Sequence, residues 1–350
     1  MNKEFFYDMI ATESVSGSEI RLQKKIASYM KEQSVAVQTD CTGNVICSIN
    51  ESCPFKVLLC GHIDEIGFRV THITDQGYLR VTKSGGVPIS LAPNKRVTVL
   101  GRKRITGVMG TLGCRDNMKT KPELTDLFID CGFTNKEEAM KLVRPGDAVT
   151  YTYTIDELQN DCVAGRGLDN RMGAYAVLHA LLKARDMGAK VGIYAATTVG
   201  EETTMRGAHW AAQAVKPTLA VAVDVTFTTD YPGTDPATYG DISLGKGPVI
   251  SRCVHGNEPM YQALESAAER AGISMQYEVS GGNSGTDADR LSLTGEGIPT
   301  AVVSIPLRYM HGPSEVGSLR DLDQVVDLLA EFLSNLTESF NYDPFATGEI

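Results

Sequence analysis

Three textures of hydrophobic and polar positions succeed one another along the chain. Over residues 1–35 apolar side chains recur at helical spacing, as in the 19–27 stretch that follows Ser16-Gly17-Ser18, and this predicts helix. Residues 45–49 and 56–60 read as strands. From 68 to about 162 short Val/Thr/Ile/Tyr runs are broken by glycines such as Gly77, Gly85, Gly86, Gly101, Gly107, Gly110 and Gly113, the pattern of a small β-barrel or sandwich. One helical piece, 135–142, opens there at Thr134. Beyond Gly165 the elements alternate, with helices at 169–184, 205–215, 259–271 and 321–336 and strands at 192–198, 218–224 and 300–305. Such alternation builds a layered α/β sheet. The predicted fold class is α/β: a layered mixed-sheet domain with helices on both faces, formed by residues 1–67 and 163–350, with a small β-barrel domain inserted at 68–162.

Composition narrows the function classes. The 350 residues hold 42% hydrophobic and 22% charged side chains, ordinary values for a globular chain able to bury a large core. The formal charge of −10 argues against sequence-independent nucleic-acid binding, which needs a cationic surface. No apolar run approaches the roughly 18 residues of a bilayer span, and Glu4 and Asp8 fall where a signal peptide would be apolar. A cytoplasmic protein without nucleic-acid or membrane partners is expected. The cysteines, Cys41, Cys47, Cys53, Cys60, Cys114, Cys131, Cys162 and Cys253, form no C-x-x-C pair and read as reduced thiols.

The candidate chemistry lies where apolar runs stop. Residues 56–61 lead to His62-Ile63-Asp64-Glu65, 192–200 to Glu201-Glu202, 218–223 to Asp224, and 300–310 to His311. Gly167-Leu168-Asp169 opens a predicted helix. In open α/β sheets the ligand crevice lies at the carboxyl ends of strands. Taken singly, each residue has a plainer reading: Asp169 as a helix cap, Glu201-Glu202 as a solvated turn. Jointly they resist it, because adjacent carboxylates at a buried sheet end repel unless a cation compensates them. Imidazole and carboxylate donors suit zinc or a similar divalent metal, with cobalt and manganese as alternatives. Among the other histidines, His72 reads as a barrel or surface residue, and His179 and His209 as helix packing. His255 reads either as structural or as lining the cleft. Residues 281–288 read as a cleft loop or a flexible turn, since their order matches neither a P-loop nor a dinucleotide fingerprint.

Several ordered motifs resemble one family along nearly the whole chain. Gly61-His62-Ile63-Asp64-Glu65-Ile66-Gly67, Leu168-Asp169-Asn170-Arg171-Met172-Gly173, Glu201-Glu202 with Met205-Arg206-Gly207-Ala208, Asp224-Val225-Thr226, Leu244-Gly245-Lys246-Gly247-Pro248 and Arg308-Tyr309-Met310-His311 are similar to the glutamyl aminopeptidase family. These are tetrahedral dinuclear metallo-aminopeptidases, some once called endoglucanases. Leu127-Phe128-Ile129-Asp130 and Arg144-Pro145-Gly146-Asp147 extend the likeness into the insertion. The resemblance implies two divalent metals bridged by Asp169, one completed by His62 and Asp224, the other by Glu202 and His311. It further implies a metal-bridging hydroxide, Glu201 as general base and Asp64 orienting His62. Short peptides, cut at their N-termini, would be the substrates. The insertion would be the dimerisation element of a twelve-subunit particle. Where the family commonly has Glu-Glu-Val-Gly-Leu-Arg-Gly, this chain has Glu201-Glu202-Thr203-Thr204-Met205-Arg206-Gly207.

Chemically such a site is coherent: paired metals about 3.5–4 Å apart need a shared anion, and a free carboxylate beside them can move the water's proton. If the two glutamates continue the strand, their side chains point to opposite faces and serve different atoms. Three rival readings are a glycoside hydrolase using the Asp64 and Glu201 carboxylates, a non-catalytic metal-binding or assembly protein, and a deacylase or carboxypeptidase on the same scaffold.

Overall fold

In the computed structural model, which describes residues 1–113 and 121–346, the apolar runs become a large mixed sheet and the glycine-punctuated stretch a closed barrel. Cys114 lies outside the described residues; the other seven cysteines are free. The centre of the large sheet is parallel, in the order Gly192–Thr198, Lys56–His62, Leu219–Phe227, Thr300–Arg308. Strands buried on both faces read as unbroken hydrophobic runs, as these do. Their alternate residues divide between two cores. Val57, Leu59, Ile193, Val221 and Val303 pack beneath the helices Leu168–Asp186, Glu258–Ala271 and Leu319–Asn335. Leu58, Cys60, Tyr194, Ala220 and Val302 face Arg206–Val215 and Ala288–Leu291 on the other side. The fold class is therefore α/β with helices on both faces.

The barrel closes through six strands: Gly67–Ile73, Leu79–Ser84, Leu127–Asp130, Arg104–Thr111, Arg96–Leu100 and Ala148–Tyr151. It has its own apolar core, including Phe68, Val97, Met109, Ile129 and Val149. The chain then rejoins the large sheet at Ile155–Glu157, ahead of residue 162, where the insertion was expected to end.

Two local expectations need correction. Residues 1–35 do not form one helix but two, Lys3–Ala11 and Ile20–Glu32. The polar break between them is used elsewhere: Val15 bridges to Glu65, Ser14 Oγ donates to the Ile63 carbonyl, and Gly17 turns at a φ of 84°. Nor is the helix at 135–142 capped by Thr134; Asn135 accepts from the Glu138 amide, and the helix spans Lys136–Met140. Among the described residues no helix is long and apolar enough to cross a membrane.

Candidate metal centre

The parallel strands deliver their C-terminal residues to one crevice. His62 ends its strand and Asp224 lies near the end of the neighbouring one, while Glu201 follows Thr198 after a turn at Gly200 (φ 66°). His311 follows Thr300–Arg308, and Asp169 enters from the start of Leu168–Asp186. That helix does not begin regularly. Asp169 and Asn170 lie outside helical φ/ψ and are joined by a cis peptide, and Asn170, not Asp169, accepts from the Gly173 amide in a capping role. Freed from capping, the Asp169 carboxylate points between two imidazoles.

The distances describe a compact cluster. His62 Nε2 lies 3.2 Å from Asp169 Oδ1 and 3.7 Å from both Glu201 Oε2 and Asp224 Oδ1. His311 Nε2 lies 3.3 Å from Asp169 Oδ2 and 3.3 Å from Glu202 Oε2. Ligand atoms of His62, Asp169 and Glu202 all fall within 4.8 Å of one another. These six residues line a cavity of about 650 Å³, together with Thr203, Thr204, Phe227, Arg290 and Met310.

Asp64 is placed differently. It is fully buried behind the cavity and does not line it. Its Oδ1 accepts from the Glu201 amide at 3.0 Å and its Oδ2 from the Glu202 amide at 3.3 Å and from the Ser16 hydroxyl. His62 Nδ1 approaches the Asp64 backbone carbonyl at 3.1 Å and the carboxylate at 3.5 Å. Asp64 thus seats the two glutamates, and they do not continue the strand as expected. They open a short helix, Glu201–Thr204, whose first amides need an acceptor, and Asp64 supplies it. They still diverge, because successive helical residues also point in different directions.

The electrostatics call for positive charge. Burial and repulsion from Asp224 raise the Glu201 carboxyl well above its ordinary range, and burial and Asp169 raise Glu202. Asp224 is likewise raised well above, by burial and Asp169. Burial opposes charge on His311, yet Asp169 and Glu202 push it up to about 11. Asp169, which burial would raise, is instead held well below the usual range by His311 and His62. Four buried carboxylates against two imidazoles leave an excess of anion, and among the described residues the buried Glu202 Oε1 has no hydrogen-bond partner. The donor set and this unpartnered oxygen fit one or more divalent cations.

Reading the sequence alone missed three groups that support the cluster. Glu315 is buried and accepts from the backbone amides of Asp169 and His311. Asp287, in the loop read as a cleft or a turn, is buried behind the cavity and accepts from Thr198 Oγ1, while Ser284, Gly285 and Thr286 line the cavity. Glu65 pairs with the fully buried Arg166 and Arg171. Burial alone would raise its carboxyl; the two guanidiniums hold it at about 2. A signal was present for Glu65 in its place beside His62 and Asp64, but nothing in the sequence joined it to the arginines a hundred residues away. The remaining histidines stand apart: His72 is exposed, His179 stacks on Tyr175 at 3.9 Å, His209 meets Thr294 Oγ1 at 3.1 Å, and His255 lies 3.5 Å from Asp289 outside the cavity lining.

One α/β sheet thus gathers imidazoles and carboxylates at its strand ends around one cavity, the place where open α/β sheets bind ligands. Residues 43–328 match the model of the M42 glutamyl aminopeptidase family, and the chain belongs to that family. It is 34% identical over 340 residues to a putative aminopeptidase of Acetivibrio thermocellus, covering 95% of this chain and 99% of that protein. It is 33% identical over 344 residues to the lysyl aminopeptidase of Pyrococcus furiosus, with 95% and 97% covered. The solved TET aminopeptidase of a marine-sediment thaumarchaeote superposes with a TM-score of 0.91 at 28% identity, over 96% of both chains. The Pyrococcus horikoshii TET1 peptidase, described as assembling into a tetrahedron or a large octahedral shell, superposes at 0.85 with 30% identity, over 95% of this chain and 99% of that one. The protein is an aminopeptidase.

Proposed function

We propose that this aminopeptidase is metal-dependent and removes N-terminal residues from short peptides in the cytoplasm. The observation that carries this reading is the Asp169 carboxylate, wedged between His62 Nε2 at 3.2 Å and His311 Nε2 at 3.3 Å. His62, Asp169 and Asp224 would hold one divalent ion, and Asp169, Glu202 and His311 the second. Zinc suits these donors best, with cobalt or manganese as substitutes. When bound, such ions supply Lewis acidity, lowering the pKa of the attacking water toward about 7 and polarising the scissile carbonyl.

The chain's own residues do the rest. Glu201 reaches the same imidazole as Asp224 but belongs to neither proposed ligand set, so its carboxylate is free to take the water's proton. The protonated carboxyl then passes that proton to the leaving amine. Asp64 holds Glu201 and Glu202 by their amides and steadies the His62 ring. The position of Asp64 outside the cavity disfavours a glycosidase pair of Asp64 and Glu201, since no sugar ring would touch it.

Assembly through the barrel fits the same reading. Exposed apolar side chains there, Leu91, Val108, Leu112 and Met140, offer a surface to a second copy, and repeated symmetric pairing could build a dodecamer. Paired substrates test the proposal: amino acid anilides with a free α-amine should be cleaved, and their N-acetyl counterparts should not. Release of acetate from the N-acetyl counterparts, with the free-amine anilides left intact, would instead support a deacylase on the same scaffold.

A further inference from the structure

The two proposed metal-binding histidines are anchored unequally. His62 is almost fully buried at a strand end, and its second ring nitrogen meets the Asp64 carbonyl. His311 sits on a loop with its side chain 29% exposed, and among the described residues its Nδ1 has no hydrogen-bond partner. Its backbone is also unusual, for His311 has a φ of 63° and Tyr309 one of 61°. A non-glycine residue in that left-handed region is strained and persists only where its surroundings hold it.

Glu315 holds it. This residue opens the strand Glu315–Ser318, which pairs with Cys162–Gly165 in a register that sets Glu315 opposite Gly165. The side chain, 2% exposed, reaches back under the cluster. Its Oε1 accepts from the His311 amide at 2.9 Å and its Oε2 from the Asp169 amide at 3.1 Å. One carboxylate therefore ties the main chains of two proposed ligands that are 142 positions apart in sequence.

We infer that Glu315 is a positioning residue that sets His311 and Asp169 at the spacing required by the metal they would share. The inference rests on the metal-dependent reading above. Glu315 touches neither the cavity nor substrate, so it acts only through the two backbones it joins. A carboxylate is required because it offers an acceptor to each amide; a carboxamide offers one oxygen and turns its NH₂ toward the second N–H.

The test is a two-site metal titration against a chromophoric chelator, using zinc or cobalt alone. Wild type, Glu315→Gln, Glu315→Asp and His311→Ala are compared, with the melting temperature of each metal-stripped protein. Glu315→Asp keeps the charge but is one methylene too short to span both amides, so it serves if the Gln variant does not fold. In either Glu315 variant the site that His311→Ala abolishes should weaken by about 10–100-fold, the usual loss when a ligand's supporting partner is removed, and the other site, which shares only Asp169 with it, should weaken less. At saturating metal kcat should largely return, with KM near the wild-type value. Unchanged affinity at both sites would overturn the role, as would equal weakening of both sites together with a lower melting temperature. Wild-type protein that bound no divalent metal would overturn the metal reading itself, and this role with it.

Discussion

Replacing Glu201 by Gln separates general-base catalysis from metal binding. The substitution keeps the side-chain volume and removes one proton acceptor and one negative charge from a site where Glu201 Oε2 lies 3.7 Å from His62 Nε2. The proposed ligands His62, Asp169, Glu202, Asp224 and His311 all remain. Loss of a positioned base typically lowers the rate about 10²–10⁴-fold. At 1.36 kcal/mol per factor of ten this is about 3–5 kcal/mol of transition-state stabilisation. The substitution also relieves repulsion among buried carboxylates, so the metal-free variant should melt no lower than metal-free wild type. Glu202→Gln acts on a side chain 3.3 Å from His311 Nε2 and should instead weaken one metal site, with activity partly restored at high metal. The assay pairs kcat on an amino acid anilide with metal content measured by elemental analysis. If Glu201→Gln lost an ion while Glu202→Gln kept its full complement, the assignment would be reversed; full activity in both would refute it.

Other expectations concern the scaffold and the assembly. Glu65, lowered from 4.5 to about 2 by Arg166 and Arg171 against the effect of burial, has a folded-state value below its unfolded one. Its contribution of roughly 3 kcal/mol is therefore complete above about pH 4.5 and disappears as pH falls toward 2. Denaturant titrations from pH 7 to pH 3 should show this loss in wild type and a flatter profile in Glu65→Gln, itself about 3–5 kcal/mol less stable at neutral pH because two buried cations lose their partner. Gly61→Ala would put a methyl 2.7 Å from the Gly173 carbonyl carbon, so it should destabilise by about 1–3 kcal/mol and, by parting His62 from Asp169, weaken metal binding. Sedimentation of the protein at micromolar concentration should give an oligomer, and a charged residue in place of Met140 or Leu112 should reduce its size; a monomeric wild type would contradict assembly through the barrel.

The parallel core and the site's constituents were legible because both leave local marks. Four apolar runs, each ending within a few residues of His62, Glu201, Asp224 or His311, announce buried strands and a crevice at their ends. The strand at 192–198 matches the observed Gly192–Thr198 residue for residue. The barrel was legible from its glycines and β-branched runs, though not its exit, since Ile155–Glu157 is a strand only through its pairing with Cys162–Gly165. Partners distant in sequence stayed hidden. Nothing near Glu315 announces that its two oxygens meet the amides of Asp169 and His311, and Asp64 read as a partner for an imidazole because its acceptors for the Glu201 and Glu202 amides depend on a turn at Gly200. The same turn starts the short helix that replaced the extended glutamate pair.

The most direct test of the central claim is the rate of amine release from a panel of glutamyl, lysyl and leucyl anilides, followed through metal removal and return. Activity on at least one free-amine substrate should fall to background after dialysis against a chelator. It should return when zinc, cobalt or manganese is added in stoichiometric amount, and the N-acetylated substrates should stay intact throughout. Turnover that survived complete removal of metal would contradict the account, whatever residue the enzyme preferred.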